Sequence, residues 1–259
     1  PTFLGALQTF KLAQADVHMV ELEEDGVDIC DLEEKIKKYS PKFFYVIPTF
    51  QNPTGKTTSG EKRKAIYDIC AKYGVVILED DPYGELRYDG TPEKSIKSYD
   101  EEGIVIKLMS FSKTISPGLR VGAAIAHRDI IFKFNLAKQG LDVHTSNLSQ
   151  YMVSRFIEKG LYDAHVKKIC KSYKVQRDAM MEAVGKYFPE EVKVQKPNGG
   201  LFVWCELPES INATEMFPKC VEKNVAYVPG APFYAHDPKF NTLMLNFSMP
   251  TVEKIDAGV

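Results

Sequence analysis

Ser110-Phe111-Ser112-Lys113 follows directly on the apolar run Ile104 to Leu108 and leads into Ser116-Pro117-Gly118-Leu119-Arg120. A lysine at the end of a buried strand, flanked by hydroxyls and followed by a glycine-containing turn, is partly withdrawn from water. An amine desolvated in this way would be a better nucleophile toward an aldehyde. The hydroxyls and the Arg120 guanidinium nearby suit a phosphate, the guanidinium binding it through a planar fork of donors. Taken alone, a lysine such as Lys113 is far more often simply a surface lysine after a strand, so the rest of the chain must decide.

Two further segments end apolar runs in polar groups. Ile77-Leu78-Glu79-Asp80-Asp81-Pro82-Tyr83 closes on three consecutive carboxylates and a Pro-Tyr pair. Ligands of open α/β sheets bind at such strand ends, and one carboxylate there can pair with a protonated pyridine nitrogen. The alternative is a solvated acidic loop. Phe44-Tyr45-Val46-Ile47-Pro48 runs out into Thr49-Phe50-Gln51-Asn52-Pro53-Thr54-Gly55, a turn in which Asn52 is placed as a polar donor. An Asn-Pro turn by itself is more often only a turn.

The elements that must position these groups alternate. Strands are expected at Val17 to Leu22, Phe43 to Ile47, Val75 to Leu78, Gly103 to Leu108 and Val121 to Ala126. Helices are expected at Leu4 to Leu12, Leu32 to Lys38, Gly60 to Tyr73 and Arg128 to Lys138. That order predicts an α/β fold with a mostly parallel sheet flanked by helices. From about Ser146 helical sequence runs to Tyr187 with Gly160 as the interruption. Strands at Val192 to Gln195, Leu201 to Glu206 and Leu243 to Phe247 and a helix near Ala213 to Lys223 then follow. We therefore expect a large domain over residues 1–150, and over 151–259 a long connecting helix and a smaller α+β domain.

With 259 residues, 44% of them hydrophobic, there is enough apolar material for one large core and a smaller one. The net charge of −2 and interspersed charges give no basic stripe for a nucleic acid, which points to small-molecule ligands. No apolar run approaches the roughly 20 residues that cross a bilayer. Five widely spaced cysteines without a CxxC pair fit reduced thiols and a cytoplasmic location, and His18, His127, His144, His165 and His236 lack metal-ligand spacing. The sequence starts at Pro1 without a Met and stops within what reads as a new helix, as expected of a piece of a longer protein.

In this order, Asn52-Pro53-Thr54-Gly55, Asp80 with Tyr83, and Ser110-Phe111-Ser112-Lys113 with Arg120 resemble the fold-type-I pyridoxal-phosphate (PLP) aminotransferases, most closely the kynurenine and 2-aminoadipate branch. The resemblance covers essentially the whole chain. It implies that Lys113 carries PLP covalently and moves the proton at the substrate Cα. It implies too that Asp80 meets the pyridine nitrogen, that Asn52 and Tyr83 approach the phenolic oxygen, and that Ser110, Ser112 and Arg120 hold the phosphate. Phe3 falls where the family stacks an aromatic ring on the cofactor, or is a core residue. Pro197-Asn198-Gly199-Gly200-Leu201-Phe202-Val203-Trp204 and Tyr227-Val228-Pro229-Gly230 resemble the family's domain-packing and active-site segments, their glycines permitting tight turns, and are read as scaffold.

The substrates implied are an amino acid of the 2-aminoadipate, kynurenine, aromatic or branched-chain type and a 2-oxo acid, handled by a homodimer. Two departures stand against this. In Asn241-Thr242-Leu243-Met244-Leu245-Asn246-Phe247-Ser248, Met244 occupies the position where the resemblance expects an arginine for the substrate carboxylate. Relatives also carry a helix N-terminus upstream that binds the phosphate, which this sequence lacks. Two alternatives follow: a PLP-binding sensor domain of a transcriptional regulator, or a PLP lyase or decarboxylase on the same scaffold.

Overall fold

A computed structural model describes residues 1–259. In the first half, α1 (Leu4–Leu12), β1 (Leu22–Glu23), β2 (Gly26–Val27), α2 (Ile29–Tyr39), β3 (Phe43–Val46), α3 (Gly60–Tyr73), β4 (Val76–Asp81), β5 (Val105–Ser110), β6 (Gly122–Ile125) and α4 (Arg128–Leu141) follow one another. β3, β4 and β5 pair in parallel and β6 closes the sheet antiparallel, in the order β3-β4-β5-β6. Side chains alternate between faces along a strand. One face therefore carries Val46, Ile77 and Val105 into a core with Leu32 and Ile36 of α2 and Ile66, Tyr67 and Cys70 of α3. Asp28 caps α2 by accepting from the amides of Cys30 and Asp31, and Ser59 caps α3 by accepting from Lys62. Gly74, in the left-handed region, ends α3 and turns the chain into β4.

The opposite face carries Tyr45, Leu78 and Asp80. α1 crosses it, its Phe10 ring meeting Phe43 at 5.5 Å and Tyr45 at 5.6 Å. The strand expected at Val17 to Leu22 does not form: only Leu22–Glu23 pairs, with Gly26–Val27, because the preceding residues find no neighbouring strand. His18 instead stacks on Tyr39 with ring centroids 3.6 Å apart.

α5 (Asn147–Glu158) and α6 (Leu161–Tyr187) are separated at Gly160, where the sequence places the break. Beyond them lie β7 (Lys193–Val194), β8 (Phe202–Glu206), α7 (Ala213–Glu222), β9 (Val228–Pro229), β10 (Thr242–Asn246) and α8 (Val252–Gly258). Their antiparallel sheet runs β7-β8-β10-β9 and packs Val203, Cys205 and Leu243 against Met180 and Val184 of α6, Ala213 of α7 and Ile255 of α8. The two sheets are tied through Arg177 of α6, whose guanidinium has no exposed surface. It donates to Asp89 at 2.7 Å and to the Pro197 carbonyl at 2.5 Å.

Candidate active site

Strand alternation sorts the three carboxylates that end β4. Glu79 points with Ile77 into the α3 side, fully buried, and accepts from the amides of Ile96 and Lys97, both at 2.8 Å. Its role is structural, and burial raises its pKa. Asp81, on the same side, pairs with Lys107 at 3.1 Å and accepts from the Gly84 amide. Asp80 alone faces the other side, where the Tyr45 hydroxyl donates to its Oδ2 at 2.7 Å and Oδ1 has no protein partner. Burial raises the Asp80 pKa, and the bond from Tyr45 works against that rise.

At the end of β3, the 49–58 turn is held from beneath by Arg63 of α3. This buried guanidinium donates to the carbonyls of Pro48, Thr58 and Lys94 and to Thr49 Oγ1. Gln51 Oε1 accepts from both the amide and the hydroxyl of Thr54, closing the turn on itself, and the Asn52–Pro53 peptide is cis. The buried Asn52 amide therefore has a fixed direction. One end donates to Tyr83 Oη at 3.1 Å, and the other, Oδ1, is buried without a partner. Tyr83 is packed edge-on against Phe202, and burial pushes its hydroxyl pKa up to about 12, so it stays an O–H donor.

At the end of β5, Ser110 lies on the Asp80 face, two residues beyond Leu108, the register partner of Asp80. The chain then turns tightly, the amides of Ile115 and Ser116 both reaching the Phe111 carbonyl. Ser110 Oγ accepts from the Ser112 amide at 3.2 Å, Arg120 donates to Ser112 Oγ at 3.4 Å, and Arg120 itself adopts a left-handed φ of 55°. Lys113, half-buried in this turn, forms no ion pair. A cavity of about 40 Å³ lies at the end of β5, lined among others by Asp81, Lys107, Ser110, Thr114 and Tyr162. A surface depression of about 500 Å³ lies along α3 beside Tyr67, Lys72 and Tyr99, away from these groups. Convergent chemistry, rather than cavity size, marks the site.

The residues singled out in the sequence thus fall into three bonded sets, Asp80, Asn52 with Tyr83, and Ser110 with Ser112 and Arg120, all at the carboxyl ends of adjacent parallel strands. This is the edge at which open α/β sheets bind ligands.

The class I and II aminotransferase family model matches residues 1–257. The chain belongs to that family. It is 44% identical to aromatic-amino-acid aminotransferase 1 of Thermococcus litoralis over 264 residues, covering 100% of this chain and 63% of that protein. To the 2-aminoadipate transaminase of Thermus thermophilus it is 39% identical, covering 100% of this chain and 66% of the other. The crystal structure of Pyrococcus horikoshii kynurenine aminotransferase in complex with PMP superposes with a TM-score of 0.96 at 43% identity, over 100% of this chain and 65% of that one. The chain thus spans somewhat less than two thirds of the length of these relatives.

The residues of the aminotransferase edge fit pyridoxal phosphate. The free Oδ1 of Asp80 can accept a ring N–H, the second N–H of the Asn52 amide and the Tyr83 hydroxyl can donate to a phenolic oxygen, and the Ser110, Ser112 and Arg120 set suits a phosphate. Phe3 heads α1 with 40% of its surface exposed. Met244 is 7% exposed in β10, opposite Trp204 on β8 and packed with Phe233, so the position where an arginine was expected lies in an apolar cluster. Sequence reasoning missed Tyr45 and Arg63. Tyr45 reads as one aromatic among strand residues, and only the register shows that it shares a face with Asp80. Arg63 reads as a charge on a helix that also carries Glu61, Lys62 and Lys64.

Proposed function

We propose that the whole protein is a PLP-dependent aminotransferase, moving an amino group between an amino acid and a 2-oxo acid. The observation that carries this is the convergence of an unpaired Lys113, a carboxylate with one free oxygen and a Ser–Ser–Arg cluster on one strand edge of an aminotransferase fold. Pyridoxal phosphate, when bound, supplies the electron sink that makes a substrate Cα–H acidic. The protein's part is to place and protonate. Lys113 carries the cofactor and its amine then takes the proton from Cα and returns it. Asp80 accepts from the ring N–H and holds the proton there. Asn52 and Tyr83 orient the phenolic oxygen, Ser110, Ser112 and Arg120 anchor the phosphate, and Phe3 covers a ring face.

The substrates we infer are aromatic, kynurenine-type, 2-aminoadipate or branched-chain amino acids. Tyr83 and Phe233 suit large apolar side chains, and Met244, where an arginine was expected, predicts weak binding of the α-carboxylate. We infer a cytoplasmic homodimer, with one domain over residues 1–150 and another over 151–259. Phe132, Leu136 and Leu141 of α4 and Leu148, Tyr151 and Met152 of α5 are each exposed, and large apolar side chains left in water in this number support a subunit contact. To test the activity, the whole protein is incubated with PLP, each amino acid and a 2-oxo acid acceptor, and the products are measured by mass spectrometry. A new amino acid with the donor's 2-oxo acid is the expected result. CO₂ or side-chain fragments would replace the proposal with the lyase or decarboxylase reading, and no turnover of any donor would favour the sensor domain.

A further inference from the structure

Asp80 has one protein hydrogen-bond donor, and it comes from a neighbouring strand. Tyr45 stands opposite Leu78 in the parallel register of β3 and β4, so its side chain leaves the sheet on the Asp80 face and reaches diagonally to Oδ2 at 2.7 Å. The phenol cannot swing away freely. Phe10 of α1 meets its ring edge-on at 5.6 Å and an interplanar angle of 78°. Burial in the first place, and the charge of Asp80 after it, raise the Tyr45 pKa well above its ordinary value, so the hydroxyl is the donor and the carboxylate the acceptor. A carboxylate at a half-buried strand end with no donor would rotate about its terminal torsion, which is broad for this side chain. It would also be pushed toward its neutral form by burial.

We propose that Tyr45 is a positioning residue for the cofactor: by occupying Oδ2 of Asp80 it turns Oδ1 toward the pyridine nitrogen and keeps a proton on that nitrogen. This rests on the reading that PLP binds at Lys113. Tyr45 touches neither substrate nor cofactor in this role. It acts through Asp80, from a strand, under the clamp of α1, and so couples the packing of α1 to the electronics of the site.

Tyr45→Phe tests this with little disturbance, because the ring that meets Phe10 stays and only the hydroxyl goes. The whole protein and its variants are loaded with PLP labelled with nitrogen-15 in the ring, and three quantities are read: attachment at Lys113 after borohydride reduction, the ring-nitrogen chemical shift, and the Kd for PLP. In Tyr45→Phe, attachment at Lys113 is retained, the ring-nitrogen signal moves toward the unprotonated pyridine position, and Kd rises about tenfold, the factor expected on losing a hydrogen bond to a charged group. In an Asp80→Asn background the same substitution changes neither the signal nor Kd further, since the two groups act as one unit. An unchanged nitrogen signal and Kd in Tyr45→Phe, with Lys113 still labelled, overturns the role of Tyr45 and leaves the proposed function standing. Failure of the unmutated protein to take the label at Lys113 overturns both.

Discussion

Each side chain at the strand edge has a neighbour that decides what it can do. Lys113 is free of carboxylates, so its amine is available to a carbonyl and then to a proton. Lys113→Ala is expected to abolish covalent attachment of the cofactor and to lower kcat by at least the 10²–10⁴-fold typical of losing a positioned acid–base group, roughly. Single-turnover kinetics with the reconstituted protein would show it. Met244 is the residue least suited to an amino acid substrate. A thioether packed between Trp204 and Phe233 offers no partner to a carboxylate. If Met244 limits carboxylate binding, Met244→Arg raises kcat/KM for an amino acid donor by about tenfold or more, the equivalent of 1.4 kcal/mol. An unchanged ratio in a variant with the original thermal midpoint would reject this. Lys113, Asp80, Tyr83, Asn52, Ser110, Ser112 and Arg120 could be named from the sequence because each ends an apolar run or sits in a Gly- or Pro-containing turn. Tyr45 could not be named, because its part depends on which strand lies beside β4, and pairing is not written in local pattern.

At the scale of elements, strand order and turn clamps carry the geometry. Arg63 ties α3 to the turn that aims Asn52, through four hydrogen bonds from one buried guanidinium. Arg63→Met leaves those acceptors unpaired. It is expected to cost about 3 kcal/mol or more of stability, since bonds to charged groups contribute about 1.5–3 kcal/mol each and do not add in full. It should also weaken PLP binding, and urea unfolding with and without cofactor measures both. Gly199 makes a different demand. A Cβ there would overlap the Phe50 ring and the Leu86 carbonyl, at the seam where residues 198–200 bond to the 86–89 segment. Gly199→Ala is expected to destabilise by about 1–3 kcal/mol through overpacking, read as a lower urea midpoint with an unchanged slope. Helix positions were legible to within a few residues because caps such as Asp28 and Ser59 and the break at Gly160 are local signals. The expected strand at Val17 to Leu22 was not realised because an apolar run becomes a strand only where a neighbour accepts its hydrogen bonds.

At the scale of the molecule, the two sheets are joined by charge as well as packing. Asp89 bridges Lys174 and Arg177 of α6, and these bonds hold its carboxyl at about 2 against an ordinary 3.8. A depressed acid pKa adds stability that is complete above the ordinary value and is lost as pH falls from there through about 2. Asp89→Asn should therefore lower the unfolding midpoint at neutral pH and flatten the loss of stability between about pH 4 and pH 2. With 38% of its side chain exposed, Asp89 is partly screened by water, so the effect is modest. Glu79 has the opposite sign. Its raised pKa means that stability declines as pH rises from 4.5 through its folded value. The fold class and both sheets were legible because the order of elements dictates them. How the second sheet closes on the first was not, since it depends on Arg177 meeting Asp89 across 88 residues of sequence. The central claim is that these parts converge to seat a cofactor on one lysine. Borohydride reduction of the whole protein loaded with PLP, followed by peptide mass mapping, tests it most directly. A single pyridoxyl group on Lys113, released when an amino acid donor is added before reduction, is the result expected. Label spread over surface lysines, or none at Lys113, would contradict the account.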